Sequence, residues 1–443
     1  MALTGRFAAL LALGLVPVVL FGATSTGAVL ALAAWLLLAV ALGTVDLALA
    51  ASPRSLVLER SLPARVRLGE SVQSELFVTN AGRRRLRGLV RDAWQPSAGA
   101  GNNRTRVEIQ AGERRRMTLT LTPVRRGERR VAAVTVRSFG PLGLWARQAT
   151  LHAPGRIRVL PPFHARKHLP SRIALLKELD GRTSTFVRGQ GTEFDSLREY
   201  VRGDDVRSID WRATARLGGA ADNPGQRVMV RTWRPERDRR VLIVADTGRT
   251  SAARVDDETR LDTAFEASLL LAALASRAGD HVDFLAYDRR VRGRVHGAQG
   301  AELLSRMVDA MALIEPELIE TDWSAVPAQV RALTSQRALV VLLTAVDAPG
   351  ASSGLLSVLP QLTRRHTVLV ASVTDPGLTR AAAERGSLEE VYRAAAAERA
   401  MLDIARVSAA IRRQGAEVVT GSTADLPPAL ADRYIALKAA GRL

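Results

Sequence analysis

Hydrophobic and polar positions change rhythm three times along this chain of 443 residues. From Phe7 to Val45 there is no charged residue and no His. The run is too long for one ordinary membrane crossing, and GATSTG, Gly22 to Gly27, breaks it near its middle. Two apolar helices are expected, roughly Phe7–Phe21 and Ala28–Thr44, each near or slightly under the ~20 residues that cross a ~30 Å hydrocarbon core. Pro17 lies in the first, and membrane helices tolerate proline when neighbours satisfy the freed carbonyl. A cleaved signal peptide would instead show a basic start and one short apolar region; here only Arg6 precedes a doubled span. The connecting loop is uncharged, while Arg6 lies before the pair and Arg54, Arg60, Arg65 and Arg67 follow it. The positive-inside rule then puts both ends in the cytoplasm, as a two-helix anchor over residues 1–50 with a cytoplasmic body.

The second rhythm, over residues 51–160, is a series of short alternating segments. VLERSLP, VQSELFVTN, RVEIQAGE, RMTLTLTPV and RRVAAVTVRS read as strands, with NAG, SAGAGNN and GPLG between them. Strands of this length and spacing predict an antiparallel β-sandwich. Its Arg-rich alternation, as in RRRLRGLVR, fits one buried and one solvated face. No cluster of His, Asp and Glu with ligand spacing occurs there, so the segment reads as a spacer or binding module.

Residues 161–239 are irregular and polar. Gly189 and Gly191 lie there, but no strand precedes them and no Gly-Lys-Ser follows, so a phosphate loop is weakly supported. From Arg240 onward the rhythm becomes strand–helix alternation. VLIVAD, HVDFLAYD, ALVVLLTAVD, TVLVASV and AEVVTG are apolar runs of strand length, separated by helical runs such as RLDTAFEASLLLAALASRAG. This predicts a doubly wound, mostly parallel α/β domain over residues 240–443. Gly279 and Gly415 fall just past helical runs, as stop signals should.

Composition narrows the chemistry. With no cysteine, disulfides, thiolate zinc sites and cysteine nucleophiles are excluded. The formal charge of +19 invites a nucleic-acid partner. Lys, however, occurs only at Lys167, Lys177 and Lys438, and aromatics make up 4% of the chain, too few for a stacking platform. A compositional Arg bias, or a basic surface facing anionic lipid, accounts for the charge without nucleic acid.

The first strand of the α/β half ends in Asp246-Thr247-Gly248-Arg249-Thr250. In open α/β sheets ligands gather at the carboxyl ends of strands, and oxygen donors there suit Mg²⁺. With the order of elements, these residues resemble a von Willebrand A-type domain. Such domains carry a metal-ion-dependent adhesion site made of an Asp-x-Ser-x-Ser loop, a Thr and a later Asp. The resemblance implies Asp246, Gly248 and Thr250 for the first loop, Thr321 of IETDW for the second and Asp347 of LLTAVD for the third. Gly248 departs from the pattern by removing one hydroxyl, a position water can fill around Mg²⁺. Alternatively, Asp246 caps its own turn and Thr321 starts a helix.

Upstream lies EFDSLREYVRGDDVRSIDWRATAR, residues 193–216, followed by RTWRPERDRR. With the apolar hairpin, the sandwich and the degenerate A-type domain, it resembles the family called domain of unknown function 58 over essentially the whole chain. That resemblance implies a bacterial, membrane-anchored protein that cooperates with a MoxR-type AAA+ ATPase in a chaperone-like or assembly role. Within the motif, Arg198, Tyr200, Asp204, Asp205, Arg207, Asp210, Trp211 and Arg212 interleave both signs of charge with aromatics. Such density favours a network of forked Arg–carboxylate pairs. It serves either to fix the α/β domain against the sandwich, the preferred role, or to dock a partner.

The function expected is therefore a non-catalytic, membrane-tethered interaction module with Mg²⁺ as candidate cofactor. An envelope-associated metal-dependent hydrolase is the alternative. No G-x-S-x-G elbow or H-E-x-x-H pair supports it, and the six His are scattered.

Overall fold

The structure is a computed structural model that describes residues 2–183, 193–201, 206–217, 228–234, 239–347, 349–350 and 352–443. The chain divides into two compact units, Met1–Pro162 and Phe163–Leu443.

The first unit begins with strand β1 (Ala2–Leu3) and helices α1 (Gly5–Leu13), α2 (Leu15–Phe21) and α3 (Ser25–Leu49). At 1.5 Å per residue, α3 is long enough to cross a ~30 Å hydrocarbon layer, and its mean hydropathy makes it apolar enough to do so. Leu30, Leu37 and Val45 are exposed on it, unlike the side chains of a helix buried in a soluble core. The first apolar run is two helices rather than one. They join at Gly14, where an added Cβ would lie 2.3 Å from Trp35 Cδ1. The Trp35 indole fills that space and donates to Leu10 O at 3.0 Å, so a backbone carbonyl left over at the break is satisfied.

Beyond the helices come β2 (Leu56–Ser61), β3 (Arg65–Arg67), β4 (Val72–Asn80), β5 (Leu86–Trp94) and β6 (Arg104–Ile109). They continue as β7 (Arg114–Leu121), β8 (Gly127–Phe139), β9 (Trp145–Leu151) and β10 (Arg156–Leu160). One sheet is β2–β4–β7; in the other, β5 joins β6 to β8, and β8 carries β9 and β10 along its length. All pairs are antiparallel except β3 with β10. Burial alternates along β4 and β5, as the two-residue strand period requires. Leu76 and Val78 of one sheet pack with Leu86, Val90, Val107, Ile109, Val134 and Val136 of the other in one core.

Arg60, one of the arginines that follow the apolar span in sequence, is not a surface charge. It donates to both oxygens of Asp92 at 2.8 Å and to Ser74 Oγ at 2.8 Å, and lies 5.4 Å from the Trp94 ring centroid. The last turn of α3 is joined to the β structure just as tightly. Asp46 is fully buried and accepts from the backbone N–H of Leu142 (2.7 Å), Leu144 (2.7 Å) and Trp145 (3.1 Å). Arg84 and Arg147 donate to Ala48 O and Leu47 O, carbonyls that a helix end leaves unpaired. Trp145 packs edge-on to Phe7 and over Gly43, where any side chain would collide with the indole.

The second unit opens with α4 (Leu169–Thr183), then β11 (Glu193–Glu199), α5 (Trp211–Leu217) and β12 (Met229–Arg234), in a stretch that reads as irregular from sequence. β11 and β12 pair antiparallel. The α/β body follows: β13 (Arg240–Asp246), the short pair β14 (Arg254–Val255) and β15 (Glu258–Thr259), α6 (Arg260–Arg277) and β16 (His281–Tyr287). Next come β17 (Val291–Val295), α7 (Gly300–Ala312), α8 (Val326–Leu333), β18 (Ala338–Leu343), α9 (Ser353–Thr363) and β19 (Thr367–Val373). α10 (Pro376–Ala383), α11 (Leu388–Arg413), β20 (Glu417–Gly421) and α12 (Leu426–Ala439) complete it.

The sheet order is β17-β16-β13-β18-β19-β20. β13, β16, β18, β19 and β20 are parallel, and β17 runs antiparallel at the edge. Leu242, Val244, Val340, Leu342, Val368 and Val370 turn one face toward Val330, Leu359 and Ile411 of α8, α9 and α11. The intervening residues turn the other way, where α6 and α12 lie against the sheet. Covered on both faces, these strands carry nearly unbroken apolar runs. From β13 the chain adds strands on one side through β16 and β17, then crosses back to add β18, β19 and β20 on the other. The crevice between the carboxyl ends of β13 and β18 is thus a topological switch point, the usual place for a ligand in such a sheet.

Candidate functional site

Asp246 ends β13 at that crevice and is 3% exposed. Its Oδ1 accepts from Gly248 N at 2.8 Å and from Thr321 Oγ1 at 2.5 Å. Its Oδ2 accepts from Thr344 Oγ1 at 2.7 Å and, more weakly, from Thr250 Oγ1 at 3.4 Å. Three loops thus bring one carboxylate and three hydroxyls together. The loop after β13 is held beside the one before α8: Arg249 N donates to Ile319 O at 2.8 Å, and Glu317 N to Thr247 O at 2.8 Å. Thr247 turns inward and donates to the buried Asp288 at 3.0 Å. Asp288 also accepts from the backbone N–H of Arg289 and Arg290, fixing the turn after β16. Next to it, burial together with Asp322 and Asp288 pushes the Tyr287 phenol above its ordinary pKa.

The cleft is lined by Asp246, Thr250, Thr321, Thr344, Ala345 and Ser352, with Arg249, Glu320, Trp323 and Leu355 around them. It encloses about 10 Å³, room for one ion or water. Ser352 is 2% exposed, and its Oγ has no hydrogen-bond partner. A buried hydroxyl without a partner is costly, so its presence here marks a space suited to an oxygen-coordinated guest. An all-oxygen set with one carboxylate suits Mg²⁺, which retains waters in its shell.

Of the residues predicted for this site, Asp246, Thr250 and Thr321 converge. Gly248 contributes its N–H, and its lack of a side chain has a cause: an added Cβ would lie 2.3 Å from Thr321 Oγ1 and 2.9 Å from Ile319 O. Gly248→Ser, which restores the adhesion-site pattern, is therefore expected to cost about 1–3 kcal/mol through overpacking. Urea unfolding followed by tryptophan fluorescence measures it. Asp347 does not line the cleft; its carboxylate pairs with Arg260 of α6 at 2.6 Å. β18 instead delivers Thr344 and Ala345. Asp246 does cap its own turn through Gly248 N, whereas Asp322, not Thr321, caps the 3₁₀ turn at Trp323–Ala325. Among the described residues, no three or more His, Asp or Glu gather as a metal cluster. Thr344 and Ser352 escaped the sequence reading. Thr344 directly follows the apolar strand β18 and was open to the same logic as Asp246; no sequence signal marks Ser352.

The charged motif folds locally. Asp210 accepts from Ala213 N at 3.0 Å and from Arg231 Nε at 2.7 Å, so its ion-pair partner is Arg231 of β12. The bond from Ala213 and then the one from Arg231 hold its carboxyl below the usual range. Arg198 donates to Glu199 O at 3.1 Å. Tyr200, Arg207, Trp211 and Arg212 are exposed. Asp204 and Asp205 lie outside the described residues.

Residues 196–421, spanning this motif and most of the α/β body, match the family described as Protein of unknown function DUF58. The chain belongs to that family. A comparison with curated proteins finds no relative for this DUF58 chain. Several solved structures resemble about a quarter of it. The CARDB domain of a Pyrococcus furiosus protein, in complex with di-metal ions, is 19% identical, covering 24% of this chain and 91% of its own, with a TM-score of 0.18. A β-glucosidase from Listeria innocua is 19% identical, covering 24% of this chain and 16% of its own, with a TM-score of 0.17. A FixG-related protein from Vibrio parahaemolyticus is 8% identical, covering 24% and 96%, with a TM-score of 0.18. Likenesses at these scores support no conclusion about the DUF58 chain.

Proposed function

We propose that this DUF58 protein is a membrane-tethered, non-catalytic interaction module with a von Willebrand A-like body. In this role it works beside a MoxR-type AAA+ ATPase in assembling or remodelling a client. The observation that carries the proposal is the convergence of Asp246 with Thr250, Thr321 and Thr344 at the switch point of the sheet. Asp246 supplies the only full charge among them, and the three hydroxyls are free to turn their lone pairs toward a cation when they no longer donate to the carboxylate. Ser352, which also lines the cleft, adds a further hydroxyl. A bound Mg²⁺ would offer an open position to a carboxylate of the partner. The loop bonds through Ile319 and Thr247 keep the donors in place whether or not the cation is bound.

Titrating the full chain with Mg²⁺ and Mn²⁺ tests this. Heat of binding and a raised melting temperature are expected at millimolar metal, and both should vanish in Asp246→Ala. If the wild type shows neither, the adhesion-site proposal fails. Association with the ATPase, measured with Mg²⁺ and with chelator, should depend on metal in the wild type alone.

A further inference from the structure

The charges that line the Asp246 cleft do not balance a divalent cation. Asp246 and Glu320 are negative, Arg249 is positive, and the remaining lining groups are hydroxyls and apolar side chains. Arg249 Nη2 lies 2.5 Å from Glu320 Oε1, so these two charges cancel. Asp246 alone is then left to face the cation. A buried charge without full compensation is costly, and the number of charged ligands tunes how tightly an oxygen site holds a divalent ion.

Two carboxylates stand near the cleft in ion pairs of different kinds. Asp347 is held by Arg260, with the two side chains 33% and 15% exposed, and does not line the cleft. Glu320 does line it, and in its pair Arg249 and Glu320 are 60% and 56% exposed. Water competes for both groups of an exposed pair, which therefore adds little to stability and can be exchanged. The backbone around Glu320 is pinned. Arg249 N donates to Ile319 O at 2.8 Å, Arg289 Nε to Glu320 O at 3.1 Å, and Asp322 N to Asp288 O at 2.9 Å. Redirecting the carboxylate thus takes only rotation about its side-chain bonds, which is fast at an exposed position. Independently of these charges, the buried Ser352 hydroxyl, without a partner in the same lining, marks the space as made for a guest.

We propose that Glu320 is a second carboxylate ligand of this cation site and that Arg249 competes with the cation for it. The assignment rests on the reading of the Asp246 cleft as a Mg²⁺ site. It also gives Arg249 a role in partner recognition. An acidic group of a partner that draws Arg249 away frees Glu320 and tightens the cation, and by reciprocity the cation tightens the partner.

Calorimetric titration of the full chain in detergent micelles with MgCl₂, at constant ionic strength, tests the assignment. Glu320→Gln is expected to weaken Mg²⁺ about tenfold or more, and Arg249→Gln to tighten it severalfold. In the Glu320→Gln background Arg249→Gln should change little, because the competition is gone. Without metal, all three variants should melt as the wild type does, since the pair is exposed. Wild-type binding that Glu320→Gln leaves intact overturns the assignment while the Asp246 site stands. A wild type that takes up no Mg²⁺ overturns both. Equal tightening by Arg249→Gln with and without Glu320 would show that Arg249 acts by its charge alone, and the competition fails. A lowered melting temperature of metal-free Glu320→Gln would make the pair a structural tie and likewise overturns the proposal.

Discussion

Replacing Lys438 with Met is expected to destabilise the α/β unit by about 3–5 kcal/mol, because it strands a buried carboxylate. Lys438 is one of three lysines in the chain and lies in the last helix, α12. Its Nζ donates to Asp280 Oδ1 at 2.6 Å and to Ala278 O at 3.2 Å, and Tyr434 OH donates to the other oxygen of Asp280. The side chains of Lys438 and Asp280 are 10% and 1% exposed. Together they tie α12 to the corner where α6 turns, through Gly279 with its positive φ of 77°, into β16. With the ammonium gone, Tyr434 alone cannot replace the lost charge. Removing both partners in Lys438→Met with Asp280→Leu should recover most of the loss, and the double-mutant cycle reports the coupling. A single-variant cost below about 1 kcal/mol would show that water reaches Asp280.

Arg60→Met is expected to have a comparable effect, about 3–5 kcal/mol, confined to the first unit. The Arg60 and Asp92 side chains are 2% and 6% exposed and meet through two parallel bonds, the strongest geometry for this pair. Without the guanidinium, Asp92 keeps only a long contact from Trp94 Nε1 at 3.4 Å, and Ser74 loses its donor. Two compact units need not unfold together. Differential scanning calorimetry should therefore show Arg60→Met lowering one transition and Lys438→Met the other. A single transition lowered equally by both would contradict independent units.

The α/β sheet was readable because its central strands are buried on both faces, and continuous apolar runs such as Val241–Ala245 are rich in β-branched residues and too short for a helix. β17 was not, since VRGRV puts charge at alternate positions of an exposed edge and a Gly at its centre, where Ile314 needs the space. The β11–β12 pairing was hidden by distance, as Glu193 pairs with Arg234 across a long insertion. Arg60 looked like one more cation near the apolar span because nothing local reveals Asp92, 32 residues away. At the cleft the first loop was legible from its strand end. At the third loop Asp347 drew attention as a carboxylate, but Arg260, 87 residues earlier, holds it, and Thr344, three residues before it and just past the end of β18, bonds Asp246 instead. Proximity in sequence to a strand end thus found the elements that built the cleft, while long-range ion pairs decided which carboxylates were left for it.

The seating of α3 on the β structure bears on how an anchor of this kind works. Most tethers put slack between a helix and its cargo, so that the cargo sweeps out a volume set by linker length. Here Asp46, Arg84 and Arg147 grip the last turn of the helix, and β1 at the other end of the apolar segment adds itself to β9. Helix and sheets are joined without a flexible link, so α3 and the β structure of this unit are held as one piece. If α3 crosses a bilayer, the tilt of that helix therefore also sets the tilt of the β structure it holds.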